Sequence, residues 1–414
     1  MSPTLRRLFI FQRDHGHVVK DGIRLTSALV ADVPSLNAPV PYVPWTDGQK
    51  KTPSDFVHPG LWHTHDDLET IRNGVLAEKD PWYSTYTLFA NDTYSQSTYT
   101  MQGPKAVISR GSISNYTTFS ADARAAYQNA IMWYITKDEA HYNVSAGILD
   151  AWGSNLTNII GTDRSLLIAI EGDMFVNAAE IMRWEGGWVE AGAKWQGGSG
   201  FSIQLYWLFA RQSIIIGQAN YGIASIKALM NFAVYLEDVS MYNFALWSWQ
   251  NDPCAGIQAT IQASTGQSSE SGRDQSHATS GLGWLALGAR TSASQGHNMY
   301  GYADNLLSQG AEYTARYNLN QTVPYDERWR RCEAVLVNGP WTEISTANRG
   351  VVNTTGTSVK KLPQAWDLLY YSAKANGIDA PWTTKAKAAN DAAGGEAVFS
   401  GNEFPGWGDL LWAV

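Results

Sequence analysis

The 414 residues include only two cysteines, Cys254 and Cys332. One disulfide is the most that the chain can form, so a small scaffold held by several bridges is excluded. No apolar run reaches the roughly 18 residues that a membrane-spanning helix needs, and we expect no membrane partner. Lysine and arginine number 30 against 38 aspartates and glutamates, and this net charge of −8 argues against a nucleic-acid partner.

Motifs that hold metal ions are also absent from the sequence. His63 and His65 stand two residues apart and would not share one face of a helix. There is no H-E-x-x-H pattern, no cysteine pair at zinc spacing and no calcium loop. We therefore expect neither a metal nor another cofactor.

The N-terminus and the glycosylation pattern point in different directions. The first residues, M-S-P-T-L-R-R-L-F-I-F-Q, contain no apolar core and no cleavage site of a signal peptide. Six N-x-S/T sequons are typical of a secreted glycoprotein. They begin at Asn91, Asn115, Asn143, Asn155, Asn320 and Asn353. We expect an extracellular protein whose signal is not visible in this chain.

Aromatic residues are abundant, with 18 tryptophans and 20 tyrosines, and 44% of the residues are apolar. Aromatic faces bind sugar rings, but tryptophan and tyrosine also fill helical cores. The composition therefore predicts a large core and is only a mild indication of a carbohydrate ligand.

From Ala121 onward, apolar residues recur at helical spacing. The predicted helices cover 121–136, 142–160, 166–184, 202–216, 220–236, 240–250, 278–290, 300–317 and 363–375. An earlier helix would begin after Thr64 or Asp66, either of which could cap it. We interpret 83–118 as a long loop or short strands. The sequence thus predicts an extended lead-in, 1–55, followed by one all-α domain of helical hairpins, 56–414.

The densest polar cluster is E-S-G-R-D-Q-S-H, from Glu270 to His277. It precedes a run of small and apolar residues and therefore stands at the start of a helix. One interpretation is a helix start capped by Ser271 or Asp274. The other is a site for a charged substrate, because so many polar groups need either water or a ligand.

Several motifs resemble the alginate-lyase family of polysaccharide lyases, with polysaccharide lyase family 38 as the nearest branch. They are H-P-G-L-W-H-T (58–64), M-F-V-N-A-A-E-I-M (174–182), Q-A-N-Y-G (218–222), E-S-G-R-D-Q-S-H (270–277), Y-G-Y-A-D-N (300–305) and E-Y-T-A-R-Y-N-L (312–319). The resemblance covers roughly 58–375. It implies an incomplete (α/α) toroid, in which inner and outer helices alternate and a cleft opens at one rim.

That fold makes a geometric prediction about the site. If 220–236 and 273–290 are inner helices, their N-termini share one rim. The outer helix 300–317 runs the other way and returns the following loop to the same rim. Asn220, the cluster 270–277 and the loop 317–330 would then converge, and helix N-termini suit a carboxylated substrate.

The resemblance implies β-elimination on a uronic-acid polysaccharide. Asn220 would neutralise the substrate carboxylate, with Arg273 as a further donor. His277 would be a second neutralising group or the base, and Glu270 would orient it or hold its charge. Relatives use a tyrosine as acid or base, and we expect Tyr325 to have this role, with Tyr317 as the second choice.

Further residues are expected to bind substrate along the cleft. They are Glu270, Gln275, Arg328, Arg110, Trp62 and His63, with Arg349 and His65 as additional candidates. Two other functions stay open: an (α/α)-barrel glycoside hydrolase that uses a carboxylate pair such as Glu270 and Asp274, and a non-catalytic sugar-binding relative. The identity of the uronan, endo or exo action and the oligomeric state are not readable from the sequence.

Overall fold

The computed structural model describes residues 56–190, 200–214, 217–329, 341–350, 365–395 and 403–414. All of them belong to the larger of the chain's two compact units, Lys51–Arg331 with Leu336–Val414. The predicted lead-in, 1–55, lies outside the described residues, as do Cys332 and Asn353. Cys254 takes part in a disulfide bond. None of the helices in the described ranges is long and apolar enough to cross a membrane.

Helices dominate the described residues. In chain order they are α1 (His65–Leu76), α2 (Trp82–Phe89), α3 (Thr117–Thr136), α4 (Glu139–Asn155), α5 (Arg164–Trp184), α6 (Phe201–Gln204), α7 (Arg211–Ser213), α8 (Ala219–Tyr235), α9 (Val239–Asn251), α10 (Ile257–Thr260), α11 (Gln275–Ser294), α12 (Tyr302–Asn318), α13 (Trp366–Ala375), α14 (Pro381–Ala392) and α15 (Gly408–Leu411). A 3₁₀ turn covers Thr93–Ser95, and a π-helix, Leu205–Ala210, joins α6 to α7. Strands β1 (Val107–Ser109) and β2 (Asn158–Ile160) pair in parallel.

The helices form two layers. The inner layer is α3, α5, α8, α11 and α13, each in contact with the next. Outer helices α4, α9, α12 and α14 pack against them. The inner helices α3, α5, α8 and α11 are buried on nearly all sides; in α5 every residue from Leu166 to Met182 is buried, polar ones included. A helix buried all round belongs to a core. The predicted all-α fold, an incomplete (α/α) toroid of hairpins, is confirmed.

Most predicted helices are present, with shifted ends. Thr64 caps α1 in a reciprocal capping box with Asp67, which decides between the two predicted caps. The predicted helix 142–160 instead stops at Asn155, because the residues after it pair with β1. Residues 83–118 were expected to lack helix but contain most of α2, and α14 was not predicted. Burial of α2 is confined to Phe89. The buried residues of α14 stand at helical spacing, but Thr383, Lys387 and Asn390 among them are polar, so no apolar period marks this helix.

A buried polar network joins three inner helices. Lys227 Nζ on α8 donates to Asp173 Oδ2 on α5 at 2.5 Å and to Ala169 O at 2.6 Å. Asn231 also donates to Asp173 and accepts from Thr291 Oγ1 on α11 at 2.6 Å. Lys227 and Asp173 are almost fully buried. Each charge therefore depends on the other for compensation.

Replacing Lys227 with alanine should destabilise the protein strongly. The substitution leaves the carboxylate of Asp173 buried without its cation, a defect that typically costs about 3–5 kcal/mol. Urea unfolding would measure this loss. Lys79→Ala, at an exposed position, is the matched control and should stay within about 0.5 kcal/mol of wild type. Equal losses in both variants would contradict a special role for the Lys227–Asp173 pair.

Candidate active site

The N-termini of the inner helices lie at one rim. Each inner helix is followed by an outer return segment, so successive inner helices run parallel. A hydrogen bond links two of the starts: Tyr221 Oη, in the first turn of α8, donates to Asp163 Oδ1, just before α5, at 2.9 Å. Free N–H groups and the positive ends of the helix dipoles therefore face the same side, where they favour an anionic ligand.

Asp274 and His277 form a hydrogen-bonded pair at the start of α11. Asp274 is the N-cap residue: its Oδ1 accepts from the backbone N–H of His277 at 2.8 Å. Its Oδ2 lies 2.6 Å from His277 Nδ1. The imidazole is 33% exposed, and its Nε2 makes no hydrogen bond to the described residues. The helix-cap interpretation and the site interpretation of this cluster are therefore compatible.

Asp274 is hydrogen-bonded to the ring of His277, the position that we had expected Glu270 to take. The buried carboxylate of Glu270 accepts from Arg273 Nη1 at 3.4 Å. Arg273 also approaches Asp274 Oδ2, with its Nε at 3.9 Å, and remains 27% exposed. Burial raises the pKa of Asp274, but hydrogen bonds from His277 and the charges of His277 and Arg273 outweigh it and lower the pKa below its usual value. Asp274 is thus the carboxylate partner of His277.

Asn220 is placed by a tightly packed first turn of α8. The preceding residue, Ala219, has φ +50° and donates its backbone N–H to Cys254 O at 3.0 Å. A Cβ on Gly222 would lie 2.2 Å from Gly217 O and 2.4 Å from the Cβ of Ala255. The side-chain oxygen of Asn220 accepts from the backbone of the next residue, whereas its Nδ2 donates to none of the described residues. Both N–H groups of the amide therefore lack a partner among the described residues, and the residue is 4% exposed.

Two regions meet the cluster: the start of the predicted loop 317–330, at Asn318, and residues 341–350, for which we made no prediction. Gln275 N–H donates to Ala347 O, and its side-chain Nε2 donates to Ser271 O and Ser345 O. Its Oε1 accepts from Asn318 Nδ2, at the end of α12. The buried Gln275 amide therefore fastens the loops to the cluster. These contacts occupy the groups that the predicted substrate-binding role would need.

Tyr325 lies against the cluster. Its Oη donates to Trp341 O at 3.1 Å. A Cβ added to Gly272 would lie 2.5 Å from the Oη of Tyr325. Burial, together with the charge of Glu327, raises the pKa of Tyr325, so the phenol keeps its proton. Tyr317, the second choice, is buried beneath the guanidinium of Arg349, which is 3.9 Å from the ring centre.

A second charged group surrounds Arg110. Its Nη1 lies 3.8 Å from Glu171 Oε2, and its Nη2 lies 3.5 Å from Glu403 Oε1. Glu171 belongs to the buried second turn of α5. Burial raises its pKa to about 7, which the nearby Arg110 opposes. Arg124 fixes the segment of Glu403 by donating to Phe404 O and Pro405 O.

Two predicted binding residues lie elsewhere. Trp62 and His63 are 1% and 2% exposed and lie near Arg290, far along α11 from the rim. Arg290, which donates to Trp62 O, is about 20 Å beyond His277 along α11 at about 1.5 Å per residue. Burial and the charge of Arg290 lower the pKa of His63 to about 3, as expected of a core histidine. The Arg328 side chain is 88% exposed and pairs with Asp326.

Sequence reasoning missed Tyr221, Asp163 and Glu171. Tyr221 belongs to the motif Q-A-N-Y-G, in which only its neighbour Asn220 was predicted to be functional. Asp163 had no helical or motif context. Glu171 was recognisable only as an acidic residue within an apolar helix, I-A-I-E-G-D, because neither exposure nor its partner Arg110 can be read from the sequence.

No family model and no curated protein matches the sequence. Solved structures do match it. An alginate lyase from Bacteroides ovatus is similar with a TM-score of 0.53 and 11% identity, over 81% of this chain and 97% of that one. A variant of alginate lyase A1-III complexed with a tetrasaccharide is similar with a TM-score of 0.52 and 13% identity, over 80% of this chain and 90% of that one. This chain has the fold of these alginate lyases. Similarity at this identity concerns the fold alone.

Glu171→Gln should change how stability depends on pH. The raised pKa means that the folded protein keeps the Glu171 proton to higher pH than the unfolded chain does. Glu171 therefore makes wild-type stability fall as pH rises from about 4.5 to about 7. The variant should lose this contribution and gain roughly 2–3 kcal/mol relative to wild type between pH 4.5 and pH 8.

Urea unfolding at several pH values measures this difference. Glu139→Gln, at an exposed position on α4, is the control and should run parallel to wild type. A Glu171→Gln curve that is also parallel to wild type would show that Glu171 ionises as in the unfolded chain.

Proposed function

We propose that this protein is a polysaccharide lyase that cleaves a uronic-acid polymer, alginate or glucuronan, by β-elimination. The observation that carries the proposal is the pair of unused groups at the rim: Asn220 Nδ2, which donates to none of the described residues, and His277 Nε2, which bonds none of them. Arg273 supplies positive charge within the same cluster. The toroid fold shared with alginate lyases supports the same substrate class.

The first requirement of the reaction is to make the C5 proton acidic. That proton is a poor acid as long as the adjacent carboxylate keeps its full charge. Asn220 and Arg273 would donate hydrogen bonds to this carboxylate and stabilise the enolate-like charge that develops on it. The positive ends of α8 and α11 add to the effect without needing to reorganise.

His277 is suited to remove the C5 proton. If its Nδ1–H donates to Asp274, the unprotonated Nε2 faces outward, as a general base requires. Asp274 would then orient the ring and stabilise the imidazolium formed by proton transfer. The C4–O4 bond breaks as the C4=C5 double bond forms.

The departing O4 oxygen needs a proton, and Tyr325 is our candidate donor. Its phenol stays protonated because burial raises its pKa, and it lies against Gly272 in the middle of the cluster. Arg110, at the same rim, would bind a carboxylate of a neighbouring sugar. The exposed Arg328 could reach a longer chain only at its outer end.

The pairing of the carboxylates favours a lyase over the alternative hydrolase. A glycoside hydrolase needs two carboxyl groups that face the bond, one as acid and one as base or nucleophile. Glu270 is buried against Arg273, and Asp274 is occupied by His277. Neither is available for the second role. In a non-catalytic relative the same groups of Asn220 and His277 would bind a sugar without cleaving it, so turnover of a polymer distinguishes the two functions.

We further propose that the protein acts outside the cell as a glycoprotein. Among the described sequons, Asn91, Asn143, Asn155 and Asn320 are exposed, and Asn115 is half-buried. Their positions would allow a glycan to be attached. A polymeric uronan substrate is also met outside cells. No cofactor enters the proposed reaction.

Ultraviolet absorbance during incubation with polymannuronate, polyguluronate and glucuronan tests the function directly. We expect absorbance to rise with at least one polymer, because elimination creates a double bond conjugated to the carboxylate. New reducing ends without this rise would instead identify a hydrolase. If neither the absorbance nor the number of reducing ends increases, the protein binds sugar without cleaving it, and the proposed lyase is refuted for these substrates.

Asn220→Ala and His277→Ala should each lower kcat by about 100-fold or more, because each removes a group that acts in the transition state. Thermal unfolding should show that both variants remain folded. Asn73→Ala, at an exposed position on α1, is the matched control and should retain wild-type kcat. Turnover near wild type in Asn220→Ala and His277→Ala would remove these residues from the site.

A further inference from the structure

One tyrosine at the rim has no part in the proposed elimination. Tyr221 follows Asn220, and it alone among the 17 residues of α8 is not buried. Its phenol donates to Asp163 Oδ1 at 2.9 Å. A single ring that leaves an otherwise buried inner helix at its N-terminal end is placed where a polymer bound over Asn220 would pass.

Asp163 holds this phenol and keeps acceptor capacity of its own. Its backbone N–H donates to Arg110 O at 3.1 Å, which ties it to the segment of Arg110. Although it is the N-cap residue of α5, its side chain makes no capping hydrogen bond. Its Oδ2 accepts no hydrogen bond from the described residues. The phenol oxygen and this carboxylate oxygen are therefore both able to accept from a ligand.

The surrounding charges suit a uronate. Burial, followed by the hydrogen bond and charge of Asp163, raises the pKa of Tyr221, and the charges of Arg110 and Arg273 oppose the rise. The phenol therefore stays neutral and is a poor base. Asp163 is joined to the backbone of Arg110, whose guanidinium is shared with Glu171 and Glu403, so a sugar at Tyr221 has this cation nearby for its carboxylate and acceptors for its hydroxyls.

We propose that Tyr221 and Asp163 form a hydroxyl-binding subsite that contacts the O2 and O3 groups of a uronate beside the cleaved bond and thereby selects the polymer. The inference rests on the proposed lyase function and adds a specificity determinant to it. Mannuronate and glucuronate differ in configuration at C2. A fixed pair of acceptors distinguishes such hydroxyls because the wrong configuration leaves the acceptors unpaired.

The test compares Tyr221→Phe and Asp163→Asn with wild type on polymannuronate and glucuronan. Tyr302→Phe is the matched control, since it removes a phenol oxygen that accepts from Gln258 Nε2 at 2.8 Å on an outer helix. We expect the ratio of kcat/KM between the two polymers to change by about tenfold in both rim variants, the size of effect of a lost hydrogen bond to a charged group. Tyr302→Phe should keep the wild-type ratio.

Binding measurements keep the subsite distinguishable from the function. Calorimetry with trimannuronate and triglucuronate, in a His277→Ala background that suppresses cleavage, gives the preference without turnover. One outcome is that wild type cleaves no polymer but Tyr221→Phe and Asp163→Asn shift the binding preference between the two trisaccharides. This result would support the subsite and refute the lyase function. An unchanged ratio of kcat/KM and an unchanged binding preference, in folded variants, would overturn the subsite. Lack of binding of either trisaccharide by an inactive wild type would overturn both.

Discussion

The buried ion pair between Lys227 and Asp173 determines where the inner helices stand relative to one another. Dispersion contacts alone tolerate sliding of one helix along another, whereas a desolvated charge pair with hydrogen bonds to Asn231 and Ala169 has essentially one satisfactory geometry. Thr291 extends the same network to α11. The axial positions of α5, α8 and α11 are thereby linked, and so are the levels of their N-termini. The relative positions of Asn220, Asp163 and His277 at the rim depend on this alignment of the three helices.

If this acidic protein acts on a polyanion, as we propose, it must neutralise its own carboxylates locally. The net charge of −8 applies to the whole chain, but four carboxylates near the rim lie beside a basic side chain, whereas Asp163 faces the neutral phenol of Tyr221. Glu270 faces Arg273, Asp274 faces His277, and Glu171 and Glu403 flank Arg110. At short range these pairs and the helix N-termini govern the potential, since exposed distant charges are screened within about 8–10 Å. The global charge therefore does not oppose a uronate at this position.

The sequence was sufficient for the fold, because the fold depends on periodicity and on order along the chain; the location of the site stays a prediction. The sequence was insufficient for the partners of side chains. His277 was paired with Glu270 in our prediction, yet the N-cap geometry of α11 brings Asp274, three residues away, to both the backbone and the ring of His277. Trp62 and His63 belong to a motif that was recognised in the sequence. Only the three-dimensional structure shows that this segment is buried in the core near Arg290.

The same partners argue for the direction of the chemistry. A carboxylate that is held ionised by His277 and Arg273 cannot protonate a leaving group, whereas it can stabilise a cationic imidazole next to it. Tyr325, with its raised pKa, is in the opposite situation and retains the proton that a leaving oxygen requires. An acceptor of one proton and a donor of another thus lie on the same cluster, with amide and guanidinium donors between them. This division of labour matches an elimination, in which one proton is removed and another is delivered, and no nucleophile is needed.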